Sequence, residues 1–269
     1  MSSLSSLKAS NGEHSIKEAV ISLFLANPIV KPERFGSLIE GSFSNDFQQY
    51  EPVHFFKVEF KNFNGLLETK PASIDNNAGF RFTRFSKGKP ATILQSRNED
   101  QRTFISFHTF DYSRWDPFFL DFQDIIKRLS ENQSNLFVKA FSLHYIDEFN
   151  WIDPVTPVPV SEIFNNESVI LPSEFFNSLV NQYQITSQKK VEDYVYIDRL
   201  EININKTAQS ISNIFISHNI TQTINDVQEL SDLIQNSLFL DMLQKAHEHN
   251  KDVLKSVLKE EVKNNIGLK

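Results

Sequence analysis

The chain predicts an α+β fold: largely antiparallel sheets in two strand-plus-helix halves, with a C-terminal helix packed across them. Three observations predict it. Strand-like segments come in blocks, each followed by a helical pattern, rather than in strict strand–helix alternation. Pro154, Pro157 and Pro159 stiffen residues 152–160 and mark a boundary between the halves. From Val227 to the end the apolar spacing is helical.

Composition bounds the problem. With 269 residues, 40% of them hydrophobic, the chain can build one large core or two modest ones without a disulfide or metal. The 25 Phe against 2 Met and 2 Trp mean that Phe rings supply much of the buried area, about 150–250 Å² each. There is no cysteine, which excludes disulfides, thiolate metal sites, iron–sulfur ligation and Cys-His catalysis. A net charge of −7 opposes duplex nucleic-acid binding, where phosphate neutralisation supplies the affinity. The longest apolar run, residues 19–30, is broken by Ser22, Asn27 and Pro28 and falls short of the roughly 20 residues of a membrane span. Residues 1–15 are Ser-rich and polar; they lack a signal peptide's apolar stretch and read as a disordered leader. The expectation is a soluble, cytoplasmic protein.

The N-terminal half, residues 16–151, opens with a strand at 16–25, where Ala19, Ile21 and Leu23 share a face. Pro32 suits the first turn of a short helix running to about Glu40. A strand at 53–63 is followed by a loop at 70–77. Three short strands, 80–85, 91–96 and 103–110, are joined by Ser-Lys-Gly-Lys-Pro and Arg-Asn-Glu-Asp-Gln turns. Asp116-Pro117 then starts a helix to about Leu129, with Phe118, Phe122, Ile125, Ile126 and Leu129 as its apolar stripe. The run 136–151 closes this half, an apolar alternation interrupted by His144, Asp147 and Glu148. Beyond the connection at 152–160, the second half (161–269) carries strands at 191–205 and 211–223. They read as a long hairpin in which Ile214, Ile216 and Ile220 share a face with His218. Leu230, Leu233, Leu238, Met242, Ala246, Val253 and Val257 mark one long or two broken helices. The pattern leaves open whether the halves share one sheet.

Most catalytic signatures are absent. Seven glycines form neither a dinucleotide fingerprint nor a phosphate-binding loop, and no Gly-x-Ser-x-Gly or His-Glu-x-x-His occurs. His247 and His249, two apart, point about 200° from each other around a helix and cannot grip one metal together, so they read as helix surface. His54, His108, His144 and His218 lie in strand-like runs. Converging with Asp147 or Asp198 they would form an acid–base or metal site; otherwise they are part-buried histidines bonded to backbone or carboxylates. His144 and Asp147, three apart in a strand, face opposite ways and are not a direct pair. Asp198 and Arg199 sit mid-strand, where a cross-strand ion pair is the simplest partner.

Two basic sets stand out. Arg81, Arg84, Lys87, Lys89, Arg97 and Arg102 interleave with Phe80, Phe82, Phe85 and Phe104. Single-stranded nucleic acid would use such a set, but Phe at alternating positions should face the core, which favours a solvated hairpin or a surface for an acidic protein. Lys251, Lys255, Lys259 and Lys263, spaced by four, form one stripe on the final helix, either a solvated face or a dock for an acidic partner.

The segment order from residue 16 to about 263 resembles a sporadically distributed bacterial family of conserved uncharacterised proteins of about this length. The likeness rests on residues 80–85, on Tyr112 and Trp115 ahead of a helix, on Leu143-His144-Tyr145-Ile146-Asp147, and on the helix around 243–257. In that family the 143–147 segment usually reads near Leu-Arg-Tyr-Ile-Asn. His144 and Asp147 depart from it, so a family role needing a permanent cation there does not carry over. The resemblance implies an architecture and, from the sporadic distribution, an accessory or immunity-type role in a mobile or defence locus.

The expected function is a non-catalytic cytoplasmic module that recognises a protein partner. Its candidate binding residues are Arg81, Arg84, His108, His144, Asp147, Lys251, Lys255 and Lys259, with no catalytic residue, cofactor or metal assigned. One alternative is a hydrolase of a phosphorylated or nucleotide ligand, using the strand histidines with Asp147, Arg81 and Arg84. The other is a single-stranded nucleic-acid binder. Neither a nucleic-acid nor a membrane partner is favoured, and the oligomeric state stays open.

Overall fold

A computed structural model describes residues 3–12, 14–57, 60–63, 66–69, 73–99, 102–132, 135–177, 182–191, 194–206, 211–266 and 268. A 3-10 turn at Ser3–Ser6 precedes β1 (Leu7–Ala9) and β2 (Ile16–Leu25). The next strands are β3 (Gln49–Lys57), β4 (Phe60–Phe63), β5 (Leu66–Thr69), β6 (Ser73–Ser86), β7 (Lys89–Glu99) and β8 (Arg102–Thr109). Then come β9 (Phe137–Trp151), β10 (Gln182–Val191), β11 (Tyr194–Lys206) and β12 (Ser212–Glu229). The helices are α1 (Pro32–Phe43), α2 (Trp115–Asn132), α3 (Val160–Ile163), α4 (Ser173–Asn177), α5 (Leu230–Leu233), α6 (Ser237–Val257) and α7 (Glu260–Asn265). No helix among the described residues is long and apolar enough to cross a membrane.

The α+β class and the antiparallel pairing hold. On the point the pattern left open, the two halves share one sheet: its strands run antiparallel in the order β10-β11-β12-β9-β2-β8-β7-β6-β3, and β4 and β5 pair separately. β12 pairs with β9 from Glu229↔Phe137 to Ser212↔Trp151, so the second half completes the first half's last strand. Left alone, that long strand would be an open edge inviting other chains. β1 also joins this sheet. Its pairs Leu7↔Trp151 to Ala9↔Phe149 continue along β9 the lane that β2 begins at Ile16↔Asp147. Residues 3–12 are therefore no disordered leader: Leu4 and Leu7 are buried, and backbone pairing holds the segment down.

Several boundaries moved for local reasons. The turn expected between residues 85 and 91 shrinks to Lys87-Gly88, both at positive φ (51° and 77°), the two-residue hairpin geometry that lets β6 and β7 run to Ser86↔Lys89. Residues 73–77 of the expected loop belong to β6; residues 70–72, and Asp100 and Gln101 of the next turn, lie outside the described residues. β10 went unread because Gln182–Val191 is polar on both sides, as an edge strand can be. Val227 lies within β12, which runs on to Glu229, rather than starting a helix.

Every helix contributes buried side chains on a single face of the sheet, in two clusters. The first places Ile21, Leu23, Phe82, Leu94, Phe107, Phe141 and Leu143 under α1, α2, α5 and the start of α6. The second places Phe149, Leu200, Ile202, Ile214 and Ile216 with α3, α4, the end of α6 and Val262 of α7. Helix α6 spans both. Asn236 caps it by accepting from the Leu238 N–H (2.9 Å), and it ends where Leu258 turns extended to bridge Phe164.

Candidate functional site

Strand pairing sorts the candidate residues by face. His108, Val20, His144, Asn219 and Arg199 are successive cross-strand partners, one row on the face against which none of the described helices packs. The adjacent row reads Glu51, Arg81, Gln95, Ser106, Ser22, Ser142, Thr221 and Ile197. Beyond it lie Phe104, Phe24 and Ala140. Three serines thus floor a furrow with the histidine row on one side and the Phe24–Phe104 ring pair on the other.

Several of the furrow's polar groups bond one another, while Arg81 Nε and Asn219 Oδ1 are buried with no hydrogen-bond partner among the described residues. His108 Nδ1 meets Glu18 Oε1 at 2.7 Å, while its Nε2 lies 2.8 Å from Ser106 Oγ and 2.9 Å from Gln95 Nε2. Arg81 donates to Glu51 (3.3 Å) and Gln95 (3.4 Å). Ser106–His108–Glu18 has the connectivity of a nucleophile, its base and the base's orienter. Yet Ser106 is 1% exposed and Gln95 competes for the same ring nitrogen, so the arrangement fixes the ring rather than arming the serine. His144 Nε2 pairs with Ser217 Oγ at 2.8 Å, and burial pushes its pKa down to about 4. At neutral pH it is uncharged and cannot stand in for a permanent cation. His108 and His144 are two strands apart, about 10 Å by strand spacing, and share no ligand.

On the helix-covered face a polar seam separates the two apolar clusters. It runs diagonally through Asp147 on β9, His218 on β12 and Asp198 on β11, under His247, His249 and Asn250 of α6. Asp147 is 2% exposed; burial pushes its pKa up to about 6 against the hydrogen bond from Ser15 Oγ (2.5 Å). Beside it, burial pushes Tyr112 up to about 12, and Tyr145 well above its ordinary value. The Tyr145 hydroxyl meets His247 Nδ1 at 3.0 Å, and the His247 ring stacks on Trp115 with centroids 4.4 Å apart. Burial, with Lys251 adding to it, lowers His247 to about 4.

The seam ends in a three-residue constellation. The Asp198 carboxylate accepts from His218 Nε2 at Oδ1 (2.5 Å) and from His249 Nε2 at Oδ2 (2.9 Å). Lys189 of β10 donates to the same Oδ2 at 3.2 Å, the cross-strand ion pair that a mid-strand aspartate calls for. Burial alone would raise the Asp198 carboxyl; the histidine hydrogen bonds overcome it and hold the group well below the usual carboxylate range.

The sequence-derived set does not assemble into one cleft. Arg81, His108 and His144 share the helix-free face. Asp147 is on the opposite face, and Arg84 reaches Thr92 and Asp121 of α2 on that side too. The basic patch splits in the same way, with Phe80 and Phe82 in the core. Lys251 and Lys255 lie on α6, but Lys259 does not continue their stripe: the helix ends at Val257, and the Lys259 backbone N–H bonds Ile163 O before α7 begins. His247 and His249 are part-buried rather than plain helix surface. Each turns into the fold and meets a different group. The signal that marks the seam is a polar residue on an apolar face, Asp198 ahead of Leu200 and Ile202, and His218 between Ile216 and Ile220. No family model matches the chain, and no curated protein is significantly similar to it.

Proposed function

We propose that the protein is a non-catalytic, cytoplasmic recognition module that binds another protein on the helix-free face of its sheet. The observation that carries this reading is the serine-floored furrow across β8, β2 and β9, over which none of the described helices lies. His108, His144 and Arg81 are already held by hydrogen bonds, so binding over them costs little ordering entropy. The surrounding charges, Arg81 and Arg199 with Glu18 and Glu201, are of both signs. That mixture suits the polar surface of a protein rather than a run of phosphates. An accessory or immunity-type role is the setting we infer from the family resemblance.

The test is affinity purification from the native host of the wild type and of furrow-blocking variants, Ser22→Arg and Arg199→Glu. A stoichiometric partner should accompany the wild type and be lost, by at least about tenfold in affinity, from variants whose melting is unchanged. Retention by both variants would rule this face out. A hydrolase is the second reading, favoured by the Ser106–His108–Glu18 connectivity alone. A serine-directed phosphonate probe discriminates: recognition predicts no labelling, and labelling abolished by Ser106→Ala would establish the enzyme.

A further inference from the structure

We propose that Asp198, His218 and His249 form a binding site for a transition-metal dication, with zinc the ion the donor set fits best. The three come from separate elements. Asp198 on β11 and His218 on β12 are diagonal neighbours on the covered face, and α6 brings His249 over them. One nitrogen from each ring and one carboxylate oxygen all lie within 4.8 Å of one another. Two imidazoles and one carboxylate are the set that catalytic zinc sites use, and an N,N,O set suits the borderline first-row dications.

The geometry is that of a site closed on itself. Metal–donor bonds of about 2.0–2.1 Å in a tetrahedron place donors about 3.3 Å apart. The observed 2.5 and 2.9 Å are shorter, as hydrogen bonds should be. Admitting an ion therefore needs both rings to part slightly from the carboxylate and turn their Nε2 atoms toward one point; each ring then binds as its Nδ1–H tautomer, its Nε2 proton moving to Nδ1 or, from a charged ring, to solvent. His218 is buried, and its other nitrogen, Nδ1, has no hydrogen-bond partner among the described residues, so no bond there fixes the ring's tautomer. His249 and Lys189 are part-exposed, at 34% and 46% of their side chains, so the site has a route to solvent. Lys189 already fills the demand for positive charge at Oδ2 and can swing outward when an ion arrives. His247 is engaged with Tyr145 and Trp115 and contributes no ligand.

Zinc alone, titrated into untagged, chelator-stripped protein against a chromophoric competitor, tests the site. One equivalent should bind, and cobalt should give the visible spectrum of a low-coordinate N,O site. His249→Ala should weaken binding by at least about 100-fold, since even outer partners of metal ligands are worth 10–100-fold. Lys189→Ala should tighten it several-fold by removing the competing cation, an effect no purely structural network would show. His247→Ala should leave it unchanged. Asp198→Asn serves only if it folds; His249 and Lys189 are part-exposed and supply the decisive variants. The proposal is overturned if no stoichiometric zinc binds, or if binding is the same in wild type and His249→Ala. The cluster would then be a hydrogen-bonded clamp between α6 and the sheet. None of these outcomes bears on the helix-free face, so the recognition reading stands or falls separately.

Discussion

Asp147 and His144, three residues apart on β9, give the protein two pH dependences of opposite sign. Asp147 holds its proton to about pH 6 in the folded state, against about 3.8 unfolded. Between those values the unfolded chain has released a proton that the native state keeps, so stability falls as pH rises from about 4 to 6. By linkage the contribution is about 3 kcal/mol. Asp147→Asn should flatten that slope in urea titrations at pH 4 to 7; an unchanged slope would mean that Asp147 is ionised when buried. His144 works the other way. Its folded pKa near 4 lies below the ordinary 6.5, so stability is lost as pH falls through that window, by about 3 kcal/mol. His144→Gln should remove this loss, and a histidine proton titrating near 4 by NMR would identify the group directly.

Helix α1 shows how an element is placed by what it lacks. A Cβ at Gly36 would stand 2.7–2.8 Å from Tyr50 and Phe80, so only a bare backbone lets the helix settle on β3 and β6. Gly36→Ala, otherwise favourable in a helix, should cost about 1–3 kcal/mol by overpacking, measured as a drop in the urea midpoint. Phe141 lies at the centre of the first cluster, fully buried and edge-on to Phe239 of α6. Phe141→Ala should cost about 3–5 kcal/mol, because the packed sheet cannot close over the void. A loss below 1 kcal/mol would mean that α6 docks mainly through its polar seam.

The whole molecule is organised by β9, which is flanked by β2 and β12 along nearly its full length. Both halves should therefore unfold in one transition, with ring-environment and backbone signals coinciding. A fragment of residues 1–151 would leave the β12 side of β9 unpaired. It should aggregate or stay unfolded; a soluble, cooperatively melting fragment would refute the single-sheet account. Native-state hydrogen exchange should be slowest in β9, β2 and β12 and fastest in the edge strands β3 and β10.

Sequence alone determined the elements whose local pattern is strong: β2, the β6–β8 meander, the α2 stripe, β9 and the β11–β12 hairpin. In each, apolar period and turn chemistry place the element, and its bounds agree within a few residues except at the start of β6 and the end of β12, so short-range physics decides the outcome. Opposite faces for His144 and Asp147 followed from the two-residue strand period alone. Tertiary structure decided what depends on long-range pairing. That β12 closes against β9, that residues 7–9 fill a free stretch of β9's edge, and that Leu258 breaks the last helix to reach Phe164 are contacts between segments distant in sequence. The Asp198–His218–His249 constellation belongs to the same class. Its members look unremarkable apart, and only the crossing of α6 over β11 and β12 brings their nitrogens and oxygens within bonding reach.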